Sequence, residues 1–114
     1  MQLNHLNLTV TDVQAASTFL ETYFGLQRMG GNAGMAFLTD HAGFVLTLMK
    51  AGRNVEVRYP GNFHIGFFVD SKATVDAVNQ RLREDGYDVA PPEQQHAYNF
   101  YVNAPGGFTI ELGA

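Results

Sequence analysis

Hydrophobic and polar residues change their period along the chain, and each period predicts an element. From Leu3 to Val10 the side chains alternate, Asn4, Leu6, Leu8 and Val10 against Leu3, His5, Asn7 and Thr9. The first set is mostly apolar. A period of two puts it on one face of a strand and the polar set on the other. Thr11 and Asp12 follow as candidate helix caps. Val13, Ala16, Leu20 and Tyr23 or Phe24 then fall at helical spacing before a stop at Gly25. Leu26–Met29, Met35–Thr39 and Phe44–Met49 read as strands, parted by Gly30-Gly31-Asn32 and by Asp40-His41-Ala42-Gly43.

The stretch from Lys50 to Gly61 keeps neither period and ends in the turn signal Tyr59-Pro60-Gly61, which marks a connector. The order then repeats. Phe63–Val69 reads as a strand, Asp70 and Ser71 as caps, and Val75, Val78 and Leu82 as the apolar stripe of a helix that stops near Gly86. Tyr87–Ala90 reads as a strand halted by Pro91-Pro92, and Tyr98–Val102 and Phe108–Leu112 read as the last two strands. The chain is therefore an internal duplication of a strand–helix–three-strand unit. His5-Leu-Asn-Leu-Thr-Val10 lies over His64-Ile-Gly-Phe-Phe-Val69, Phe24-Gly25-Leu26 over Asp85-Gly86-Tyr87, and Gly43-Phe-Val-Leu-Thr47-Leu48 over Gly107-Phe-Thr-Ile-Glu111-Leu112. The predicted fold is α+β, one domain over residues 1–114 built from two tandem βαβββ modules. The first covers about 1–52, a connector about 53–61 and the second about 62–114.

A duplication is also a spatial statement. His5 and His64 are equivalent positions on the first strands, and Thr47 and Glu111 are equivalent on the last. If the two sheets curl around a common cavity, two imidazoles and a carboxylate meet there with a hydroxyl in the fourth place. Neutral imidazole and carboxylate bind first-row divalent metals, and three such ligands leave positions open for a substrate. Closed structural zinc sites instead fill four positions, commonly with cysteine. Phe68 follows His64 by four and shares its side of the strand. With Tyr101 and Met49 it would make such a cavity partly aromatic and apolar. Asn7 and Thr9 share the face of His5 as polar contacts to substrate or to ligands. His41 in a turn and His96 in a loop read as surface residues.

Composition removes whole classes of function. Of 114 residues, 46% are hydrophobic and 16% charged, the balance of a globular domain. Seven basic against 11 acidic residues give a net charge of −4, which argues against nucleic-acid binding and against docking on an anionic membrane. The chain has no cysteine, which excludes disulfides, thiolate nucleophiles and cysteine-held metals. No apolar run approaches the roughly 18 residues of a membrane span. Met1–His5 carries no basic leader, so a soluble, cytoplasmic protein is expected.

Four segments in order resemble the vicinal oxygen chelate superfamily of glyoxalase I, fosfomycin resistance proteins, bleomycin resistance proteins and extradiol dioxygenases. They are His5-Leu6-Asn7-Leu8-Thr9-Val10-Thr11-Asp12, Phe24-Gly25-Leu26, His64-Ile65-Gly66-Phe67 and the closing Phe100–Leu112, and together they cover nearly the whole chain. The family's usual ending runs Asp-Pro-x-Gly, and here Asn103-Ala104-Pro105-Gly106 replaces it. The resemblance implies paired βαβββ modules that form a cupped mixed sheet around a metal and ligand cavity. It places His5, His64 and Glu111 at metal-ligand positions for a divalent ion (Mn, Fe, Zn or Ni) that would chelate vicinal oxygens of a small organic substrate. Glyoxalase I usually carries a carboxylate at the Thr47 position. Thr47 cannot act as a base at neutral pH, so that isomerisation is disfavoured, and thiol transfer, lyase and dioxygenase chemistry stay open. Tyr101 occupies a matching catalytic position. Asn7, Thr9, Thr47, Phe68 and Asn99 are the implied substrate contacts. Two-module members are commonly homodimers, and some exchange modules, so that His5 could pair with His64 and Glu111 of the other subunit. The alternative within the same resemblance is a non-catalytic protein that sequesters a small molecule or antibiotic, as bleomycin resistance proteins do.

Overall fold

The computed structural model describes residues 1–114. Its elements follow the order β1 (His5–Val10), α1 (Val13–Phe24), β2 (Gln27–Asn32), β3 (Met35–Thr39), β4 (Val45–Lys50), β5 (Ile65–Phe68), α2 (Lys72–Glu84), β6 (Glu93–Gln94), β7 (Tyr98–Ala104) and β8 (Phe108–Gly113). The chain divides into two units. The first is Met1–Tyr59 with Ala104–Gly107, and the second is Pro60–Asn103 with Phe108–Ala114.

In the first unit the strands lie in the order β1-β4-β3-β2, with β1 parallel to β4 and the other pairs antiparallel. Helix α1 starts where the Asp12 carboxylate accepts the Ala15 N–H at 3.0 Å, and it ends at Gly25, whose φ of 71° lies in the left-handed region. Its stripe of Val13, Ala16, Phe19 and Leu20 is buried, as are Leu8, Val10, Ala36, Leu38, Leu46 and Leu48 on the strands. A fully buried side chain of this kind is worth about 1.5–3 kcal/mol in transfer from water. Strand alternation then leaves His5, Asn7 and Thr9 on the opposite face, paired across β4 with Val45, Thr47 and Met49.

Two boundaries differ from the pattern. Strand β2 continues through Gly30-Gly31-Asn32, and the turn falls at Ala33-Gly34, where the Asn32 side chain accepts the Gly34 N–H at 2.9 Å. Gly31 allows this because a side chain there would run into the Met35 backbone carbonyl. Phe44 lies just outside β4. The connector is pinned rather than loose. The Tyr59 hydroxyl donates to the Thr9 carbonyl at 2.8 Å and accepts the Thr9 N–H at 3.0 Å.

The second unit repeats the arrangement as β5-β8-β7-β6, with β5 parallel to β8. The Ser71 hydroxyl caps α2 by accepting the Thr74 N–H at 3.2 Å. Val75 and Leu82 on the helix and Phe100, Val102, Phe108, Ile110 and Leu112 on the strands are buried. The register repeats as well. Asn7 stands opposite Thr47 in the first sheet, and its sequence equivalent Gly66 stands opposite Glu111 in the second.

The strand expected at Tyr87–Ala90 does not form, and the short pairing with β7 comes from Glu93–Gln94 instead. Pro91 and Pro92 cannot donate to a ladder. The Ala90 carbonyl is taken by the side chain of buried Asn79, which donates to it at 2.8 Å. Strand β5 is also shorter than the expected Phe63–Val69, so His64 sits one residue before it. Neither helix is long and apolar enough to cross a membrane.

Candidate functional site

Burial of Phe108, Ile110 and Leu112 against the helix side of the second sheet forces Thr109 and Glu111 to the open side. On β7 the same alternation buries Phe100 and Val102 on the helix side and turns Asn99, Tyr101 and Asn103 with Glu111. Gly66 stands directly opposite Glu111, and a side chain built there would meet nothing within 4 Å. Gly66 thus puts no side chain opposite the carboxylate.

The His64 Nε2 atom lies 3.0 Å from Glu111 Oε2. Its Nδ1 lies 3.1 Å from the Asn62 carbonyl oxygen. A carbonyl only accepts, so Nδ1 carries the proton and donates it. In the neutral ring, Nε2 then aims a lone pair at a carboxylate oxygen. Two Lewis bases so placed call for a proton or a cation between them. The donor set suits a first-row divalent ion. A separation of 3.0 Å is also close to that of two adjacent ligands held at a right angle, each about 2.1 Å from one ion. The fixing of Nδ1 by a carbonyl is the arrangement that orients metal-binding histidines generally.

Glu111 Oε1 accepts a hydrogen bond from Asn99 Nδ2 at 2.8 Å, and Asn99 is only 2% exposed. The Tyr101 ring meets the His64 ring edge-on, with centroids 5.4 Å apart and planes at 83°. Tyr101 remains 41% exposed, and Phe68, on the side of His64, is 77% exposed. No buried side-chain nitrogen or oxygen anywhere in the chain lacks a partner.

The first unit presents the equivalent face with different chemistry. His5 is exposed, and its Nδ1 lies 2.7 Å from the Asn4 side-chain oxygen. The Asn7 amide donates to the Met49 sulfur at 3.1 Å. Thr9 is engaged through its backbone by Tyr59. Thr47, half-buried between Asn7 and Phe37, holds the place that Glu111 holds in the second unit. The structure thus brings His64, Glu111, Asn99 and Tyr101 together, and places His5, Asn7, Thr9 and Thr47 on the face of the first sheet. Within either unit, no group of three or more His, Asp or Glu side chains able to hold a metal forms. His41 and His96 are exposed.

Two contributors gave no signal in the sequence. Asn62 acts through a backbone carbonyl, which every residue has. Tyr59 was visible only as a turn residue, and its hold on Thr9 is tertiary. A separate cluster lies on the helix side of the second unit. There the Tyr98 hydroxyl donates to Asp76 at 2.6 Å, and that bond raises the Tyr98 pKa above its ordinary value of 10.0. Lys72 Nζ sits 5.4 Å from the centre of the same ring.

Comparison with known proteins places these observations. The family model of the Glyoxalase/Bleomycin resistance protein/Dioxygenase superfamily matches residues 2–112. A solved structure of a possible glyoxalase from Bacillus cereus is 54% identical, with a TM-score of 0.94 over 100% of this chain and 99% of that one. The glutathione transferase FosA of Serratia marcescens is 27% identical over 111 residues, which span 96% of this chain and 78% of that protein. The fold is also shared with the fosfomycin resistance protein FosX of Listeria monocytogenes, at 21% identity and a TM-score of 0.81 over 99% of this chain and 91% of that one. That protein was solved as an E126Q mutant with Mn(II) and 1S,2S-dihydroxypropylphosphonic acid.

Proposed function

The chain belongs to the glyoxalase/bleomycin resistance protein/dioxygenase superfamily, and on that premise we propose that it is a divalent-metal-dependent enzyme acting on a small organic substrate with adjacent oxygens. The observation that carries this reading is the 3.0 Å approach of His64 Nε2 to Glu111 Oε2, with Nδ1 anchored behind it. His64, Glu111 and His5 would hold the ion. His5 joins them as the equivalent of His64 in the duplicated module, and in a homodimer that exchanges modules it would come from the second copy.

A bound ion supplies a Lewis acid that polarises substrate oxygens and stabilises negative charge developing on them. The chain's own residues do the rest. The Asn62 carbonyl holds the His64 tautomer. Glu111 offsets part of the ion's charge. Tyr101, exposed and braced against His64, presents a hydroxyl that can donate to a substrate oxygen. Phe68 offers an apolar wall, Asn7, Thr9 and Thr47 supply polar surface, and buried Asn99 meets Glu111 instead of the substrate. Thr47 has no carboxylate with which to take a proton from carbon, which disfavours isomerisation of the glyoxalase I type. The FosA relative is a glutathione transferase, and the FosX structure holds Mn(II) with a vicinal diol phosphonate. Both favour addition of a nucleophile to an oxygen-rich substrate.

The test is equilibrium dialysis against Mn(II), Fe(II), Ni(II) and Zn(II), with the His5→Ala, His64→Ala and Glu111→Ala variants treated identically. The expected result is about one ion per chain in the parent and a large loss in each variant, since each removes one of three ligands. A parent that binds none of the four ions would overturn the proposal. It would leave a cavity that sequesters its ligand without metal.

A further inference from the structure

Glu111 is held through only one of its two oxygens. Asn99 Nδ2 donates to Oε1 at 2.8 Å, while Oε2 alone faces His64 at 3.0 Å. Asn99 is 2% exposed and lies on β7 beside β8, so the donating side chain is buried on the neighbouring strand. Gly113, two residues beyond Glu111, flanks it. A Cβ there would stand 3.4 Å from the Asn99 Cβ, so glycine leaves the Asn99 side chain uncrowded on that side. Enclosed in this way, the Asn99 amide gives its Nδ2 to the carboxylate.

We propose that Asn99 is a positioning residue that makes Glu111 a one-oxygen ligand. This rests on the metal-site reading above and adds to it a cause and a consequence. The cause is competition. A carboxylate with both oxygens free can grip an ion through both of them, whereas a strong, desolvated hydrogen bond to Oε1 keeps that oxygen turned away from the ion. The consequence is a vacancy. A carboxylate that binds through one oxygen leaves one more coordination position for a chelating substrate, which needs two. Asn99 thereby acts on the substrate through Glu111 and not by touching it. Its burial agrees, because a side chain this enclosed has little surface to offer a ligand. The amide is neutral, so it orients the carboxylate without cancelling its charge. An aspartate at this place would repel Glu111, and an apolar residue would leave Oε1 without a partner.

The test replaces the native ion with Co(II), whose visible absorption reports coordination number. Affinity and spectrum are measured for the parent, Asn99→Leu and Glu111→Gln. Loss of an outer-shell partner typically weakens metal binding 10–100-fold. Asn99→Leu is expected to fall in that range and to shift the Co(II) bands, as the freed oxygen joins the ion. Glu111→Gln is expected to lose binding more fully. A second measurement needs no Asn99 variant and covers the case in which Asn99→Leu fails to fold. The infrared difference spectrum of the parent on metal loading, with that of Glu111→Gln subtracted, is expected to show the wide splitting of carboxylate stretches typical of one-oxygen ligation. If the parent binds Co(II) while Asn99→Leu keeps both its affinity and its bands, or if the splitting is narrow, the positioning role is overturned and the metal site stands. A parent that takes up no Co(II) overturns the metal-site reading itself.

Discussion

The two units share a strand order and a register, yet only one of them carries an acid at the open face. In the first unit, Asn7 stands opposite Thr47, and His5 is exposed with the Asn4 side chain as its partner. In the second, Gly66 stands opposite Glu111, and His64 is fixed by the Asn62 carbonyl and faces the carboxylate. The same backbone pairing therefore presents an imidazole twice and a carboxylate once. Duplication supplies the frame, and single residues at equivalent positions decide which half carries the His–Glu pair. The two caps, Asp12 and Ser71, and the two apolar stripes stayed alike in role because both helices must cover a sheet face.

The sharpest way to break the asymmetry is to remove the acid. Glu111→Ala is expected to reduce metal affinity by at least 100-fold, measured by competition with a chromogenic chelator, while Thr47→Ala changes it by less than about threefold. Retained affinity in the first variant would mean that the carboxylate is not a ligand. The reverse experiment restores symmetry. Thr47→Glu places a second acid at the equivalent register, and it is expected to tighten metal binding about tenfold by adding an anionic ligand. The folds should respond alike where the sites do not. Leu48→Ala and Leu112→Ala occupy equivalent buried positions, at 0% and 3% exposure, and each is expected to cost about 2–5 kcal/mol in urea unfolding. The smallest effect is at the helix starts, where Asp12→Ala and Ser71→Ala should each cost about 1 kcal/mol by the same measurement. A much larger cost for one cap would show that its helix alone holds up its unit.

Much of this frame was legible in the chain. Period-two alternation located Glu111 on the open face, because Ile110 and Leu112 on either side had to be buried together. The repeat then aligned His64 with His5 and Glu111 with Thr47, and the observed pairings keep that alignment. What escaped the pattern was tertiary. Tyr87 and Val89 alternate like a strand, but the adjacent prolines and the Asn79 bond to the Ala90 carbonyl divert that segment from the ladder. Asn99 was placed on the correct face from its spacing to Tyr101. Its burial and its bond to Glu111 depend on a neighbouring strand, which local sequence does not encode. Likewise, Gly30-Gly31-Asn32 looks like a turn because glycine and asparagine favour turns, whereas here glycine serves a close approach of two strands.

Mixing variants tests most directly the proposal that His5 of one copy joins His64 and Glu111 of another. His5→Ala and His64→Ala chains, each unable to form a complete site alone, are unfolded together, refolded at equal concentration and dialysed against Mn(II). If His5 of one copy joins His64 and Glu111 of another, half the dimers are mixed and each holds one intact site, so about a quarter of the parent's bound metal returns. Metal that stays at the level of the separate variants, with mixed dimers shown to be present, would contradict a site shared in this way.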